Sequence, residues 1–292
     1  MKDIKSTAKI LREGIFDKQS PLYLAPGKER YFPSHTNVVN AFRNIKDALF
    51  VYTFQPEKMT PAEIDKNTQK LLTSAIKILK KEIEKTLWLF CDGERSRKDC
   101  MASEKKTDEI CAKFIKKLPE IQKLVLTDIK AAFDGDPAAT DPYQILLCYP
   151  GPKAVCYQRL AHFFYTEGVQ ILPRIITEHA HASTGIDIHA GAKIGKGFFI
   201  DHGTGVVIGE TCVIGDNVKI YQGVTLGAKS FALDENGNPV KGIKRHPNIE
   251  DDVTIYANAT ILGDITVGKG SIIGANSWVT KDVKSGSVQK GC

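Results

Sequence analysis

Residues 187–206 read DIHAGAKIGKGFFIDHGTGV, and an aliphatic side chain recurs in them at every sixth position. The same spacing resumes between residues 249 and 279. The residues that keep it are Ile188, Ile194, Ile200, Val206, Ile249, Ile255, Ile261, Val267, Ile273 and Val279. A period of six fits neither the turn of an α-helix nor the alternation of an isolated strand, but it suits a chain that turns a corner after each short strand. The C-terminal third is therefore predicted to form a parallel β-helix.

The spacing slips by two residues between Ile200 and Ile208. A second aliphatic series with a step of six starts at Ile208. Two positions before each of its members stands a smaller residue. The side chains of both sets are expected to point into the solenoid. The second series is Ile208, Ile214, Ile220 and Leu226, beside Val206, Cys212, Val218 and Val224. A slip of this kind usually marks a bulge or a functional turn. The turn here carries an acid and an imidazole side by side, Asp201 and His202.

The spacing is interrupted again between Leu226 and Ile249, which are 23 positions apart and therefore out of step with a repeat of six. Residues from about 227 to 248 are predicted to leave the solenoid as one long extruded loop. Loops of this length inside compact domains are usually functional or disordered. Arg245 and His246 stand at the base of the loop, which favours a functional role.

The N-terminal part, residues 1–183, has the periodicity of α-helices. Thr60 is a suitable cap for the first long helix, and Pro173 is expected to bend the last helical segment. The predicted helices are 61–90, 103–117, 119–133 and 155–178. The chain is therefore predicted to be an α+β protein, with an α-helical domain at 1–183 and a β-helix domain at 184–292.

The composition excludes several classes of protein. The 292-residue chain contains no apolar run as long as a membrane span, and its first residues do not form a signal peptide, so a cytoplasmic protein is expected. Its seven cysteines are odd in number and form no CxxC pair, which is typical of free thiols in a reducing compartment. The net charge of +6 comes from lysines on predicted helix faces, without interleaved aromatic residues. Neither a membrane nor a nucleic acid is expected as a partner.

Several short motifs, taken together, resemble the serine O-acetyltransferases of the hexapeptide-repeat acyltransferase superfamily. They are DIHAGAKIG at 187–195, DHGTG at 201–205, GET at 209–211, VTLG at 224–227 and RHP at 245–247, with GDPA at 135–138 in the helical half. The sixfold spacing alone indicates only the superfamily, whereas the joint occurrence of the motifs is more specific. The resemblance implies that the β-helix is left-handed. It also implies transfer of acetyl from acetyl-CoA to the hydroxyl of L-serine, giving O-acetylserine in the first step of cysteine biosynthesis.

The chemistry of that reaction explains the imidazole in the turn. The serine hydroxyl must lose a proton as it attacks the thioester, and an imidazole is the side chain best suited to accept it near neutral pH. The resemblance assigns this role to His202 and assigns to Asp187 the carboxylate that fixes the tautomer of the base. The alternative is an ordinary turn histidine and an aspartate that caps the start of a strand.

Recognition of serine needs opposite charges on either side of its hydroxyl. The resemblance assigns the ammonium group to Asp136 and Asp201 and the carboxylate to Arg245, whose guanidinium binds in a fork. His246 is expected to lie close to the reacting hydroxyl. Asp136 could instead begin a turn before a proline, and Arg245 could be a surface charge. Glu210 either supports the site or caps a turn of the solenoid.

Acetyl-CoA is expected as a co-substrate, with no tightly bound cofactor and no metal. Its long pantetheine arm needs an extended channel, such as the groove between neighbouring β-helices of a homotrimer. The helical half could pair two such trimers. The resemblance assigns the acetyl-CoA contacts to backbone amides at small corner residues, namely Gly227, Ala228, Ala257 and Ala275.

Two departures from the family pattern affect the expected partners. The family loop Gly-Gly-Thr-Gly-Lys is replaced by GAKSF at 227–231, which alters the expected contacts to CoA. After residue 283 the sequence lacks the family's Pro-Ala-Arg segment and its isoleucine-ended tail, so a complex with O-acetylserine sulfhydrylase is not expected. L-Cysteine is expected as a feedback inhibitor, because it carries the same ammonium and carboxylate groups as serine.

Three alternatives remain open at the level of the residues. A related transferase would use another acceptor, such as homoserine or an amino sugar. A metal enzyme similar to the γ-class carbonic anhydrases would bind zinc through histidines at 179, 181, 189 and 202. A scaffold would use the solenoid only for assembly, but an Asp-His turn and an Arg-His loop base have no role in a scaffold.

Overall fold

The N-terminal half consists of α-helices. The computed structural model describes residues 2–20, 31–54, 58–89 and 97–291. The helices within these ranges are α1 Lys2–Ile15, α2 His35–Leu49, α3 Val51–Phe54, α4 Pro61–Leu89, α5 Arg97–Gly135, α6 Pro142–Cys148, α7 Pro150–Thr166 and α8 Leu172–Thr184. Among the helices described, none is both long enough and apolar enough to cross a membrane.

Helix α4 begins as its sequence predicts. The backbone N–H of Glu63 donates to Thr60 Oγ1 at 3.4 Å, and the backbone N–H of Thr60 donates to Glu63 Oε2 at 2.8 Å. This reciprocal pair is a capping box, which satisfies two amides that a helix start leaves without partners. The predicted end of the helix at Phe90 lies outside the described residues.

The predicted break at residue 119 is wrong. Helix α5 continues through Pro119 as one helix of 39 residues. Proline cannot donate the hydrogen bond that the carbonyl of Ile115 would accept, but both residues are solvent-exposed, so water can serve that carbonyl. Phe114 and Leu118 are buried in the helical core on the opposite side. Ile121, which follows the proline, is buried in the same core, and the burial of residues before and after the proline stabilises the continuous helix more than the missing bond destabilises it.

The segment predicted at 155–178 forms two helices. Helix α7 ends at Thr166 and α8 begins at Leu172. Pro173 stands in the first turn of α8, where the absence of an N–H costs nothing. Gly185 ends α8 in the left-handed conformation, with φ of 71°. The first strand of the solenoid follows two residues later.

The C-terminal half is a parallel β-helix, as predicted. Its strands are β1 Asp187–Ile188, β2 Lys193–Ile194, β3 Phe199–Ile200, β4 Val207–Ile208, β5 Val213–Ile214, β6 Lys219–Ile220, β7 Thr225–Gly227, β8 Asn248–Ile249, β9 Thr254–Ile255, β10 Thr260–Leu262, β11 Thr266–Val267, β12 Ile272–Ile273, β13 Trp278–Val279 and β14 Val288–Gln289. Face 1 contains β1, β4, β7, β10 and β13, face 2 contains β2, β5, β8 and β11, and face 3 contains β3, β6, β9, β12 and β14. The chain turns a corner after each strand as it passes from face 1 to face 2 to face 3.

Strand pairing locates the two extra residues of the slip. Ile188 pairs with Ile208, twenty positions on, whereas Ile208 pairs with Leu226, eighteen positions on. The first coil is therefore two residues longer than the regular coil, and the extra residues lie in the turn at 201–205. The aliphatic residues of both series are buried, apart from Ile194, which is partly buried.

The extruded loop is present where the interruption predicts it. The chain leaves face 1 after Gly227 and rejoins face 2 at Asn248. Its tip is a short hairpin, in which the backbone N–H of Val240 donates to the carbonyl of Ala232 at 2.8 Å. Most residues of the loop are exposed, so it adds little to the core of the solenoid.

Strand β3 separates the two cores of the protein. Ile200 points inward and packs with the aliphatic residues of the solenoid, while its neighbour Phe199 packs into the helical core. Successive side chains of a strand point to opposite faces, which allows one strand to serve both cores. Helices α5 and α7 contact this strand. This contact places the C-terminal end of α5 beside the turn that follows β3.

Candidate functional site

The turn at 201–205 presents His202 to solvent. His202 has φ of 57°, a left-handed conformation that histidine adopts more readily than branched residues do. Gly203 follows with φ of 91°, and a Cβ there would overlap the side chain of Ile186. The turn therefore requires glycine at 203 and turns the histidine outward. Among the described residues, the imidazole of His202 has no hydrogen-bond partner, so its nitrogens are available to a ligand.

Asp136 is brought to this turn from the helical half. It follows the last residue of α5, and both of its carboxylate oxygens are occupied. Tyr149 Oη donates to Oδ2 at 2.5 Å, and the backbone N–H of Ala138 donates to Oδ1 at 2.8 Å. The Tyr149 bond is the main cause of a lowered pKa of Asp136, and the positive charge of Lys219 acts in the same direction. The carboxylate is therefore ionised and lies near Lys219.

Tyr149 lies near Asp201, the acid of the turn, as well as bonding to Asp136. The bond to Asp136 raises the pKa of Tyr149 to about 12, and the negative charge of Asp201 contributes to the rise. Two carboxylates and an imidazole thus lie at the corner between faces 3 and 1. We call this group, Asp136, Tyr149, Asp201 and His202, the His202 corner. Its acids are suited to a cation such as an ammonium group.

Asp187 lies on face 1, next to the His202 corner. Its strand β1 pairs with β4, which begins shortly after the turn. No hydrogen bond joins Asp187 and His202 in the described part of the chain. The nearest charged partner of Asp187 is Arg174, whose Nη1 is 3.9 Å from Oδ1. Because Asp187 is only half-buried, its side chain has room to reorient.

Arg245 is held at another corner of the solenoid. Its Nη2 donates to Glu210 Oε2 at 2.6 Å, and Tyr165 Oη donates to Glu210 Oε1 at 2.8 Å. Burial alone would raise the pKa of Glu210, but these two bonds outweigh it and lower the pKa. Glu210 therefore orients Arg245. This contact favours a supporting role for Glu210 over a cap on a turn of the solenoid. Tyr165 is absent from the predicted set, since a lone tyrosine in a helix carries no functional signal.

His246 is nearly buried beside Arg245, with 7% of its surface exposed. The backbone N–H of Thr211 donates to His246 Nδ1 at 3.1 Å, so the ring proton of the neutral imidazole resides on Nε2. Burial, with a further effect from the charge of Arg245, lowers the pKa of His246 to about 4. The ring packs so closely on Gly209 that a Cβ there would overlap it. We call Glu210, Arg245 and His246 the Arg245 corner.

The four residues predicted to contact acetyl-CoA divide between the two corners. Gly227 and Ala228 end a strand of face 1 and lie above Glu210, at the Arg245 corner. Ala257 and Ala275 lie between faces 3 and 1, at the His202 corner. They stand one above the other, because the backbone N–H of Asn276 donates to the carbonyl of Ala257 at 2.9 Å. The residues predicted to contact acetyl-CoA are thus divided between the two corners, as are the residues predicted to bind serine.

One face of the solenoid separates the two corners in a single chain. The segment of face 1 between them runs from Val206 to Gly209 and spans roughly 10 Å at about 3.3 Å per residue. The ammonium and carboxylate groups of an amino acid are attached to the same carbon atom. The backbones of the two corners of one copy are therefore farther apart than the two charged groups of a serine molecule.

Within residues 97–291, the four histidines of the metal-enzyme alternative are not grouped as zinc ligands. In the described part of the chain, one group of metal-binding side chains has its ligand atoms within 4.8 Å of one another, and it consists of Glu178, His181 and Asp187. The guanidinium of Arg174 already pairs with Glu178 there. His189 Nδ1 is occupied elsewhere, since it accepts from the backbone N–H of Gly191 at 3.0 Å.

Models of known families match both halves of the chain. The model described as "Serine acetyltransferase, N-terminal" matches residues 66–156. The model "Bacterial transferase hexapeptide (six repeats)" matches residues 246–281, and "Hexapeptide repeat of succinyl-transferase" matches residues 205–231. The helical part is therefore similar to the N-terminal part of serine acetyltransferases, and the solenoid is similar to hexapeptide-repeat transferases.

Whole-chain comparisons agree with these matches. A protein of Synechococcus elongatus named "Serine acetyltransferase, plasmid" is 47% identical over 257 residues, which is 87% of this chain and 80% of that protein. The crystal structure of Entamoeba histolytica serine acetyltransferase 1 in complex with L-cysteine is 34% identical, with a TM-score of 0.71 over 97% of this chain and 96% of that one. The Neisseria gonorrhoeae serine acetyltransferase in complex with serine is 30% identical, with a TM-score of 0.55 over 87% of this chain and 96% of that one.

Proposed function

The chain belongs to the serine acetyltransferase family and is an acyltransferase, and we propose how its two corners transfer the acetyl group. Acetyl-CoA is the acetyl donor and the hydroxyl of L-serine is the acceptor. One observation carries the proposal: α5 brings the carboxylate of Asp136 to the turn that holds Asp201 and His202, so a cation-binding pair of acids adjoins an exposed imidazole.

His202 is the general base. Its imidazole takes the proton of the serine hydroxyl while the hydroxyl oxygen attacks the thioester carbonyl. The tetrahedral intermediate then collapses, the C–S bond breaks, and the CoA thiolate takes the proton back from the imidazolium. The exposed and unpaired ring supports this role, since a base must have a nitrogen free for the proton that it accepts.

Asp187 orients this base. A carboxylate that accepts from the second ring nitrogen fixes the tautomer and stabilises the imidazolium that forms. Asp187 is supported by its position on face 1, one coil from the strand that follows His202. In the free protein its nearest charged partner is Arg174, at 3.9 Å. We propose that Asp187 turns from Arg174 to His202 when substrate is bound.

Serine is bound by charge at both ends. Asp136 and Asp201 take the ammonium group, and Arg245, oriented by Glu210, takes the carboxylate in a fork. His246, neutral because burial lowers its pKa to about 4, directs Nε2–H toward the acceptor hydroxyl. L-Cysteine has the same two charged groups and would occupy the same site, so it is proposed as a feedback inhibitor.

The complete site forms between two copies of the chain. The Arg245 corner of one copy meets the His202 corner of the next, since a single copy holds them a full face apart. Acetyl-CoA lies in the same groove, against Gly227 and Ala228 of one copy and Ala257 and Ala275 of the other. A closed ring of three copies repeats this contact three times, which supports a homotrimer.

Mixed trimers test this arrangement. His202→Asn inactivates one corner, and Arg245→Ala inactivates the other at serine concentrations below the native KM. Random mixing of the two inactive variants after unfolding should restore about a quarter of the native sites, because each mixed trimer then contains one site with both corners intact. Each variant refolded alone is the control. A mixture that stays as inactive as the separate variants would contradict the shared site.

A panel of acceptors tests the substrate. Release of the CoA thiol is measured with L-serine, L-homoserine and glucosamine at equal concentrations. L-Serine should give the highest kcat/KM, since the site holds a charge at each end of a short amino acid. A higher kcat/KM with homoserine or glucosamine would replace serine as the proposed acceptor.

A further inference from the structure

Lys219 joins the two halves of the protein where Asp136 enters the site. It lies in β6 on face 3, next to the inward-pointing Ile220, and its own side chain extends toward the helical half. Its Nζ donates to the carbonyl of Gly135 at 2.7 Å. Gly135 is the last residue of α5, and Asp136 follows it directly. A lysine of the solenoid therefore holds the peptide next to a substrate-binding acid.

The contact has the chemistry of a helix cap. The last carbonyls of an α-helix have no partner within the helix, and the helix dipole makes this end negative. An ammonium group is suited to both features. Lys219 thus caps the 39-residue helix α5 from outside, and the end of that helix is fixed relative to the solenoid.

Aromatic rings hold the lysine in place. Nζ lies 4.9 Å from the centroid of the Phe199 ring and 5.0 Å from that of Tyr221. Gly135 packs on the same Phe199 ring, because a Cβ at this position would come within 3.0 Å of Phe199 Cδ1. The ammonium therefore occupies a defined position between the helix end and the two rings.

The bond from Lys219 to Gly135 affects the position of Asp136 relative to the solenoid. Tyr149 and the backbone of Ala138 fix the orientation of the carboxylate, but both belong to the helical half. Among the hydrogen bonds between α5 and the solenoid, the one from Lys219 lies nearest in sequence to Asp136. Without it, Asp136 keeps its local bonds, but its distance from the solenoid is less well defined.

We propose that Lys219 is a positioning residue for substrate binding, which sets the distance of Asp136 from Asp201 and thereby the affinity for the ammonium group of L-serine and L-cysteine. The inference rests on the proposed role of Asp136. Lys219 acts through the Gly135 carbonyl and needs no contact with the substrate itself.

Steady-state kinetics of Lys219→Met tests the proposal, because methionine keeps the length of the side chain without the ammonium. The serine KM should rise roughly ten- to a hundredfold, the loss expected when a binding group is displaced by about 1 Å. The inhibition constant for L-cysteine should rise in parallel. The kcat and the KM for acetyl-CoA should stay within about twofold, since binding of the ammonium group is weakened equally in the ground state and in the transition state.

Two variants serve as controls. Lys219→Arg keeps a cation that can donate to Gly135 and lie against Phe199, so it should restore most of the serine affinity. Lys196→Met removes an exposed lysine of the neighbouring coil, whose side chain is 60% exposed and lies 3.5 Å from Asp216. It should leave all the kinetic constants unchanged.

The outcomes separate this inference from the proposed function. An unchanged serine KM in Lys219→Met, or a loss confined to kcat, overturns the positioning role. Asp136→Ala is measured beside it: if that variant also has a native serine KM, the proposed role of Asp136 itself fails. If the methionine variant does not fold, Lys219→Gln, which keeps a donor without charge, is measured against the same criteria and should show a smaller rise.

Discussion

Arg159 and Asp128 form a buried ion pair where the helical half meets the solenoid. Arg159 Nε and Nη2 donate to Asp128 Oδ2 and Oδ1, each at 2.8 Å, and the two residues are 6% and 1% exposed. The guanidinium also donates to the carbonyls of Ile194 and Gly195, and Asp128 Oδ1 accepts from the backbone N–H of Phe198. The pair therefore joins α5 and α7 to the turn between faces 2 and 3. It helps to fix the position of the C-terminal end of α5 relative to the solenoid.

Asp128→Asn should destabilise the protein by about 3–5 kcal/mol, because it leaves the Arg159 guanidinium buried without a counter-charge. Lys130→Ala on the same helix is the matched control. Its ion pair with Asp134 is exposed, with 74% and 53% of the side chains accessible, and its loss should cost less than about 1 kcal/mol. Urea unfolding at one protein concentration measures both values. Equal losses in the two variants would show that the buried pair has no special importance.

His202→Asn should lose ~10² to 10⁴ in kcat while the fold stays intact. Asparagine tolerates the left-handed backbone that this position requires, so the substitution removes the base without adding strain. His202→Ala should lose as much activity and some stability in addition. Turnover and circular dichroism measure the two effects separately. A turnover close to native in the asparagine variant would exclude His202 as the base.

Arg245→Lys should raise the KM for serine roughly tenfold or more, with a smaller change in kcat. Lysine keeps the charge but cannot bind Glu210 and the serine carboxylate in the geometry of a guanidinium fork. Glu210→Gln should act in the same direction, because it loosens Arg245. Initial rates over a range of serine concentrations measure the effect. A native KM in both variants would mean that the carboxylate binds elsewhere.

His246 should make the protein less stable as the pH falls from 6.5 toward 4. In the folded state its pKa is about 4, below the usual value of 6.5, so the unfolded chain binds the proton more readily between these values. Each pKa unit corresponds to about 1.4 kcal/mol, so the folded state loses roughly 3 kcal/mol over this range and gains nothing further above it.

The variant His246→Asn tests this pH dependence, because its amide can accept from Thr211 but does not titrate. Its unfolding free energy should fall less steeply between pH 6.5 and 4 than that of the native protein. Both proteins are measured at the same concentration, since the stability of an oligomer depends on it. Parallel slopes would mean that another group causes the acid sensitivity.

The regular part of the fold could be predicted because its signal is local and repeated. Each coil needs an inward aliphatic residue at the same step, and the chain supplies it from Ile188 to Val279. The prediction at Pro119 failed because the local preference of proline is weaker than the burial of Leu118 before it and Ile121 after it. Propensity decides such a position only where packing does not.

The resemblance assigns Asp136, Asp201 and Arg245 to one substrate, but the spacing of the residues does not predict where each one lies. The spacing alone places neither Asp136 beside His202 nor Arg245 a face away from it, because these positions depend on how α5 and the extruded loop return to the solenoid. The roles of Tyr149, Tyr165 and Lys219 were missed for the same reason. A single tyrosine or lysine becomes informative only when its partner across the fold is known.

The sequence by itself determined that the chain forms helices followed by a β-helix, that the repeat is interrupted at the turn of His202 and at the loop before Arg245, and which chemical groups occupy those interruptions. These properties follow from periodicity and side-chain chemistry, which are local. The tertiary structure decided the rest: the C-terminal end of α5 brings Asp136 to the solenoid, and Glu210 binds Arg245. It also decided that one face separates the two corners, because contacts between distant segments depend on packing across the junction of the two halves.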